Sequence, residues 1–316
     1  MQNLQARVLE QLEKHLGGQV SVPKWLSDKL NLDYSLAYRK AKNESRLDFD
    51  QLEAILLAVP ELCEAIVPNP IKDRIFLSFF QSFKNNQDIE EYLKQIAFNF
   101  EKAAQHGQSL KYFARDLPLF LFFYSEHMVD YKFSMWTNQL SRNGMQRFSA
   151  EIHRLTREVY ESYLHLDTEE IWFVDLLVNQ LAQLSWFKEL GVLDDEKSTS
   201  LKKDFWQSLL RSSSWCETGN KGRTDSENYQ LMISRYCTMN NGGILVGNER
   251  TYLMTALSGI FFLRTASEKV TENFISQFEF HKASATSITK VNTLDRRRFF
   301  NGLKDQLMST DEQDGV

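Results

Sequence analysis

The first sixty residues start and stop helices so often that few folds can accommodate them. Leu4, Val8, Leu9, Leu12 and Leu16 recur at helical spacing. Gly17-Gly18 ends that run, as glycine commonly does past a helix C-terminus. Ser21-Val22-Pro23 opens a second helix through Trp25, Leu26 and Leu30, because proline's fixed φ and missing N–H suit a first helical turn. Asn31-Leu32-Asp33 forms a short turn, with Asp33 as the N-cap of a third helix over about Tyr34 to Lys42. A fourth helix begins near Asp48 and carries Leu52, Ile55, Leu56 and Val59 on its apolar face. Pro60, Pro68 and Pro70 punctuate the exit, and the run VPNP at 67–70 is the strongest domain boundary in the chain.

The second and third helices have the layout of a helix-turn-helix. The DNA major groove admits one helix, and a second helix braces it from behind across a tight turn. Trp25, Leu26 and Leu30 are expected to pack on Leu36 and Ala37, with the small Ala37 allowing close approach. The outward face then carries Tyr34, Ser35, Tyr38, Arg39 and Lys42. The whole chain has a net charge of −5, so it lacks the bulk basic footprint of a nucleic-acid binder. Residues 34–46 depart from that balance, setting Arg39, Lys40, Lys42 and Arg46 against one acid, Glu44. Phosphate contacts are expected from this island. Tyr34, Ser35 and Tyr38, early in the helix, suit base edges, and Arg39 suits either guanine or phosphate.

The stretch LDYSLAYRKAKNESRLDFDQLEAIL resembles the lambda-repressor-like (XRE/Cro-type) helix-turn-helix domains of a group of Bacteroides-type bacterial regulators. The similarity lies in Ser35 to Glu44, followed by Leu47-Asp48-Phe49-Asp50-Gln51-Leu52. Two positions depart from that pattern. Asn43 stands where those proteins usually have glycine, and asparagine also tolerates a left-handed turn. Leu36 replaces a smaller residue. Segments 116–124, 169–191, 252–265 and 282–307 resemble the long C-terminal region of the same proteins. The resemblance implies a transcriptional regulator and assigns no activity to the C-terminal region.

Beyond residue 70 the periodicity predicts helices almost throughout 71–165. They include one on Ile75 to Phe83, one near Leu110 to Arg115, one after Pro118 to Lys132, and one over Phe148 to Tyr163. The run from Thr168 to Leu190 opens with the capping pattern Thr168-Glu169-Glu170-Ile171 and is also expected to be helical. Leu201 to Leu210 continues the series. Ser212 to Asn228 is polar and predicts a loop, and Tyr229 to Met239 leans towards strand. Asn240-Asn241-Gly242-Gly243 predicts a hairpin turn, with a second turn at Gly247 to Arg250. Helices return near Glu268 to His281 and Leu294 to Leu307. The expected fold is therefore mainly α. A four-helix helix-turn-helix domain (1–68) precedes a larger helical dimerisation or sensor domain (71–308), which has a small antiparallel hairpin near 229–256. An acidic, disordered tail is expected over 309–316.

Several classes of chemistry find no support. Cys63, Cys216 and Cys237 are widely spaced, with no CxxC and no histidine at zinc-ligand spacing, so they read as reduced cytoplasmic thiols. His127 and Asp130 share a helix at i, i+3 beside Glu126, but no second histidine-rich helix accompanies them, so a solvated face is expected and no metal. Ser212 to Cys216 lacks a nucleophile elbow, and there is no P-loop or GxGxxG. The expectation is a non-enzyme without cofactor. The basic run Arg296-Arg297-Arg298 reads as solvated. The longest apolar stretch, Leu117 to Tyr124, is far too short to span a bilayer. Partners follow from the helix-turn-helix: double-stranded DNA, a second copy of the chain in a homodimer, and room for a small-molecule or peptide effector. The alternative is a helical protein-interaction scaffold whose first domain is structural.

Overall fold

The structure, a computed structural model, describes residues 4–18, 20–59, 62, 78–80, 83, 85–137, 144–222, 225–236, 238–247, 252–258 and 261–309. The VPNP boundary at 67–70 and the tail at 310–316 lie outside them, as do Cys63 and Cys237.

The first four helices are α1 (Leu4–Leu16), α2 (Val22–Leu30), α3 (Tyr34–Ala41) and α4 (Phe49–Ala58). Their ends follow from the residues that cap them. Ser21 is the extended N-cap of α2, with a proline in its first turn. Asn31 closes α2 in the left-handed region, and the Ser27 hydroxyl donates to the Leu32 carbonyl at 2.7 Å. Asn43 takes φ 59° just past α3, the conformation its short amide side chain tolerates. Asp48 and Gln51 form a capping box on α4, each side chain accepting from the other's backbone N–H. Val8, Leu9, Leu12, Leu26, Ala37 and Ile55 close a core of their own.

The larger unit is α/β, which corrects the expectation of a mainly helical body with a small antiparallel element. Its elements in chain order are β1 (Ser78–Phe80), α5 (Asn86–Gln105), β2 (Ser109–Ala114), α6 (Leu119–Phe122), α7 (Glu126–Trp136), α8 (Ala150–His165), β3 (Asp167–Phe173), α9 (Val178–Glu189) and α10 (Asp195–Thr218). These are followed by β4 (Tyr229–Ser234), β5 (Gly242–Val246), β6 (Tyr252–Ser258), β7 (Phe261–Thr265), α11 (Glu268–Ser284), β8 (Thr286–Ser287) and α12 (Thr293–Ser309). The eight strands form one mixed sheet in the order β1-β7-β6-β5-β2-β3-β4-β8. β2, β3 and β4 run parallel at its centre, and the remaining neighbours are antiparallel.

Alternate residues of the central strands enter two separate cores. Leu110, Tyr112 and Ala114 of β2, Trp172 of β3 and Leu231 of β4 face the helices that cross between the parallel strands. Phe113, Ile171, Phe173, Met232 and Ile244 face the other way, against Phe274 and Phe278 of α11. Strands covered on both sides read as continuous apolar runs. That is why 110–115 and 168–173 imitate helices in the sequence. Thr168 is no helix cap: its hydroxyl donates to the Leu166 carbonyl at 3.0 Å within the strand start.

Three further expectations change. Residues 78–80, expected to be helical, pair as a strand with β7. The chain over 212–218 is helix and not loop, because the Ser212 hydroxyl donates back to the Ser208 carbonyl at 3.1 Å and both serines are buried; α10 ends only at Gly219, φ 74°. Asn240 to Gly243 is not a hairpin turn, since β4 and β5 stand three places apart in the sheet. The antiparallel hairpin is β5 with β6, Leu245 opposite Tyr252. Gly243 is instead a strand residue opposite Tyr112. A Cβ at Gly243 would stand 2.9 Å from the Tyr112 ring, so glycine is what lets that ring lie flat against β5. Gly243→Ala is therefore expected to destabilise the sheet by about 1–3 kcal/mol, the usual cost of overpacking. Urea unfolding followed by tryptophan fluorescence measures it, and an unchanged midpoint would refute the packing argument.

Candidate functional site

The site expected from the sequence falls on α3, and the residues from Tyr34 to its C-cap Lys42 divide by helical phase. Ala37, Lys40 and Ala41 turn inward, Ala37 fully buried, whereas Leu36, expected to pack with Ala37 on α2, is half-buried outside the core of these helices. Tyr34, Ser35, Tyr38, Arg39 and Lys42 form the outward face, with Tyr34 51% and Tyr38 44% exposed. Tyr38 and Lys42 are one turn apart, and the Lys42 amine stands 5.9 Å from the Tyr38 ring centroid. The Ser35 hydroxyl donates to Asp33 Oδ2 at 3.0 Å, which fixes the first turn. Arg46, beyond the helix, is exposed as well.

Lys40 does not belong with them. It is only 5% exposed, and its amine donates to the Arg46 carbonyl. The same turn is held from α1: Gln5 Nε2 donates to the carbonyls of Lys40 (3.0 Å) and Ser45 (2.8 Å), while Gln5 Oε1 accepts from Leu47 N–H at 2.8 Å. Lys40 is thus a fastener for the 42–47 turn and has no free charge to give a phosphate. Its position three residues after Ala37, on the same stripe, is the signal in the sequence that marks it as inward.

The other candidates are absorbed into structure. Asp130 is buried, accepting from His153 Nε2 at 2.7 Å and from Phe148 N–H at 3.0 Å, so it braces α7 against α8 and is no solvated face. His127 lies 3.7 Å from Asp204 instead. Arg296 is buried and donates to the Ile288 carbonyl at 3.0 Å, while Arg298 reaches Asp295 at 4.0 Å. Cys216 is buried, and burial pushes its thiol up to about 12, so it is unreactive near neutral pH. Among the described residues no group of three or more His, Cys, Asp or Glu is arranged to hold a metal, and no helix is long and apolar enough to cross a membrane.

The room for an effector that the sequence leaves open without placing it has a counterpart in a cavity of about 460 Å³ in the α/β unit. It extends from the face of β2 and β5, beneath α5, to the loop past the carboxyl end of β2. In open α/β sheets ligands bind at the carboxyl ends of the strands. The loop is locked by Asn241, whose Oδ1 accepts from the N–H groups of Arg115 (2.7 Å) and Asp116 (2.9 Å). Asp116 in turn accepts from Asn179 Nδ2 at 2.6 Å. Residues read as a hairpin turn therefore tie β2, β5 and α9 together around the cavity.

Comparison with protein families, with characterised proteins and with solved structures finds no match to this chain.

If Lys40 fastens the turn, Lys40→Ala leaves the Arg46 carbonyl without its partner and costs about 1–3 kcal/mol. Hydrogen exchange of the amides over 22–59 in the full chain reads this as faster opening of α3. Unchanged exchange would return Lys40 to the surface.

Proposed function

We propose that the chain is a sequence-specific DNA-binding transcriptional regulator that lays α3 in the major groove of double-stranded DNA. The observation that carries this reading is the outward face of α3. Two tyrosines, a serine, Arg39 and Lys42 stand exposed on a helix braced by α2, with Arg46 beside them, in a chain that is otherwise acidic. Tyr34, Ser35 and Tyr38 reach base edges, Arg39 reads guanine or grips phosphate, and Lys42 and Arg46 contact phosphate. One such module makes few contacts, so a homodimer on half-sites about 34 Å apart supplies the affinity. The α/β unit serves dimerisation, effector sensing or both.

A second reading, a protein-interaction module, is favoured by Phe49 and Leu57 of α4, which are 89% and 76% exposed. Large apolar side chains displayed to this degree fit a protein contact.

Selection of the purified protein on a random-sequence duplex pool at near-physiological salt separates the two. The regulator reading predicts an enriched two-fold motif that is lost in the double variant Arg39→Ala/Lys42→Ala. Arg39→Ala alone is expected to weaken specific binding by about 1–3 kcal/mol. No enrichment would sink the regulator reading and favour the protein-interaction one.

A further inference from the structure

The cavity beside β2 carries chemistry that the fold does not use. Gln180, in the first turns of α9, is 2% exposed, and its side-chain oxygen has no hydrogen-bond partner. Gln183, one turn further along the same wall, has a side-chain oxygen in the same state. An unpaired buried amide oxygen costs stability. Two of them on one cavity wall present acceptors to something that brings N–H or O–H donors.

The rest of the lining specifies more. Among the described residues, Arg115 and Lys132 line the cavity together with Asp116, which is engaged by Asn179, and Arg264, which stands over the Tyr252 ring. The Lys132 amine sits among apolar surfaces, 4.4 Å from the Phe122 ring centroid and 5.3 Å from that of Trp136. Burial pushes it down to about 8, with Asp116 pulling the other way. A cation held this way is stabilised by an anion placed beside it. The walls between these polar groups are flat: Tyr112 and Phe120 meet edge to face at 5.5 Å, and Trp136 closes the same space. The volume, about 460 Å³, is that of a metabolite site. Asn241 holds the loop past β2 in place, so little ordering is left to binding.

We propose that this cavity binds a small planar anion: a ring compound with a carboxylate or phosphate at one edge and N–H or O–H donors at another. The ring lies among Tyr112, Phe120 and Trp136, the acidic group meets Lys132 and Arg115, and the donors face Gln180 and Gln183. The proposal stands on the cavity alone and is independent of DNA binding.

Calorimetric titration of the full chain tests it, using anthranilate as the aromatic carboxylate, adenosine and uridine monophosphates as the ring phosphates, and aniline, adenosine and uridine as uncharged counterparts. At least one charged probe is expected to bind saturably below about 1 mM, and its uncharged counterpart at least ~tenfold more weakly. Whether anthranilate or a nucleotide binds identifies the acidic group. Gln180→Leu removes an unpaired buried polar atom, so its melting temperature should hold or rise while affinity for the bound probe falls by ~tenfold. Lys132→Met, in a position already lined by rings, should weaken the same probe at least as much. Three results would each overturn the proposal: no saturable binding by any probe, equal binding of the uncharged counterparts, or unchanged affinity in both variants.

Discussion

The body of this protein depends on the burial of β2 and β3 from both sides. Neither strand has a face to give to water, so each must alternate between two cores, with α11 over one face and the crossover helices over the other. Parallel pairing demands those crossovers, which explains why α6 to α8 separate β2 from β3 and α9 to α10 separate β3 from β4. On the α11 side charged residues form a network. Lys111 of β2 reaches Glu169 of β3 at 3.1 Å and Glu279 of α11 at 2.9 Å, and Lys282 of α11 meets Glu169 at 2.7 Å. Burial alone would raise the Glu169 carboxyl, yet the two lysines hold it below its ordinary range. Its stabilising contribution is therefore present above the ordinary carboxylate pKa and is lost as pH falls through the depressed value.

On the opposite face the acid Glu170 is fully buried. Glu170 accepts from the Tyr163 hydroxyl and from Trp172 Nε1, both at 2.6 Å. Lys221 lies close by, donating to the Tyr163 carbonyl at 2.7 Å, with its amine 4.0 Å from the Tyr163 ring centroid. Burial raises the Glu170 carboxyl and lowers the Lys221 amine, and the charge of each opposes the shift of the other. Removing one member of such a group is far more damaging than never having it. This cluster ties β3 to α8 and to Lys221.

The sequence was legible where structure is local. The ends of α1, α2 and α4 are set by Gly17, Pro23 and Asp48, residues whose preferences act within one turn; Asp33 stands at the N-cap of α3 without a side-chain cap bond, and Asn43 takes the left-handed conformation its side chain permits. The helices near 268 and 294 are legible for the same reason. The strands were not, because period-2 alternation vanishes when both faces are apolar: Ile171-Trp172-Phe173 has no polar side to reveal it. Gly242-Gly243 marks close approach of Tyr112 to a strand, but close approach and a turn use the same residue type. Within the candidate interface, the exposed residues of α3 were legible from charge and helical phase, whereas Lys40 was misplaced because its charge outweighed its phase. Gln180 and Gln183 were invisible, since two glutamines one turn apart mark a cavity wall only once the sheet opposite them is known.

The central claim is that the outward face of α3 meets DNA. Tyr34 and Tyr38 report on it directly, because exposed tyrosines are oxidised by hydroxyl radicals and shielded ones are not. Footprinting of the full chain by mass spectrometry, with and without a random-sequence duplex at low salt, is the measurement of choice. Tyr236 and Trp186, exposed on the α/β unit, serve as internal references. The account predicts that duplex DNA protects Tyr34 and Tyr38 and leaves Tyr236 and Trp186 unchanged. Protection of the references with Tyr34 and Tyr38 still fully oxidised would contradict it.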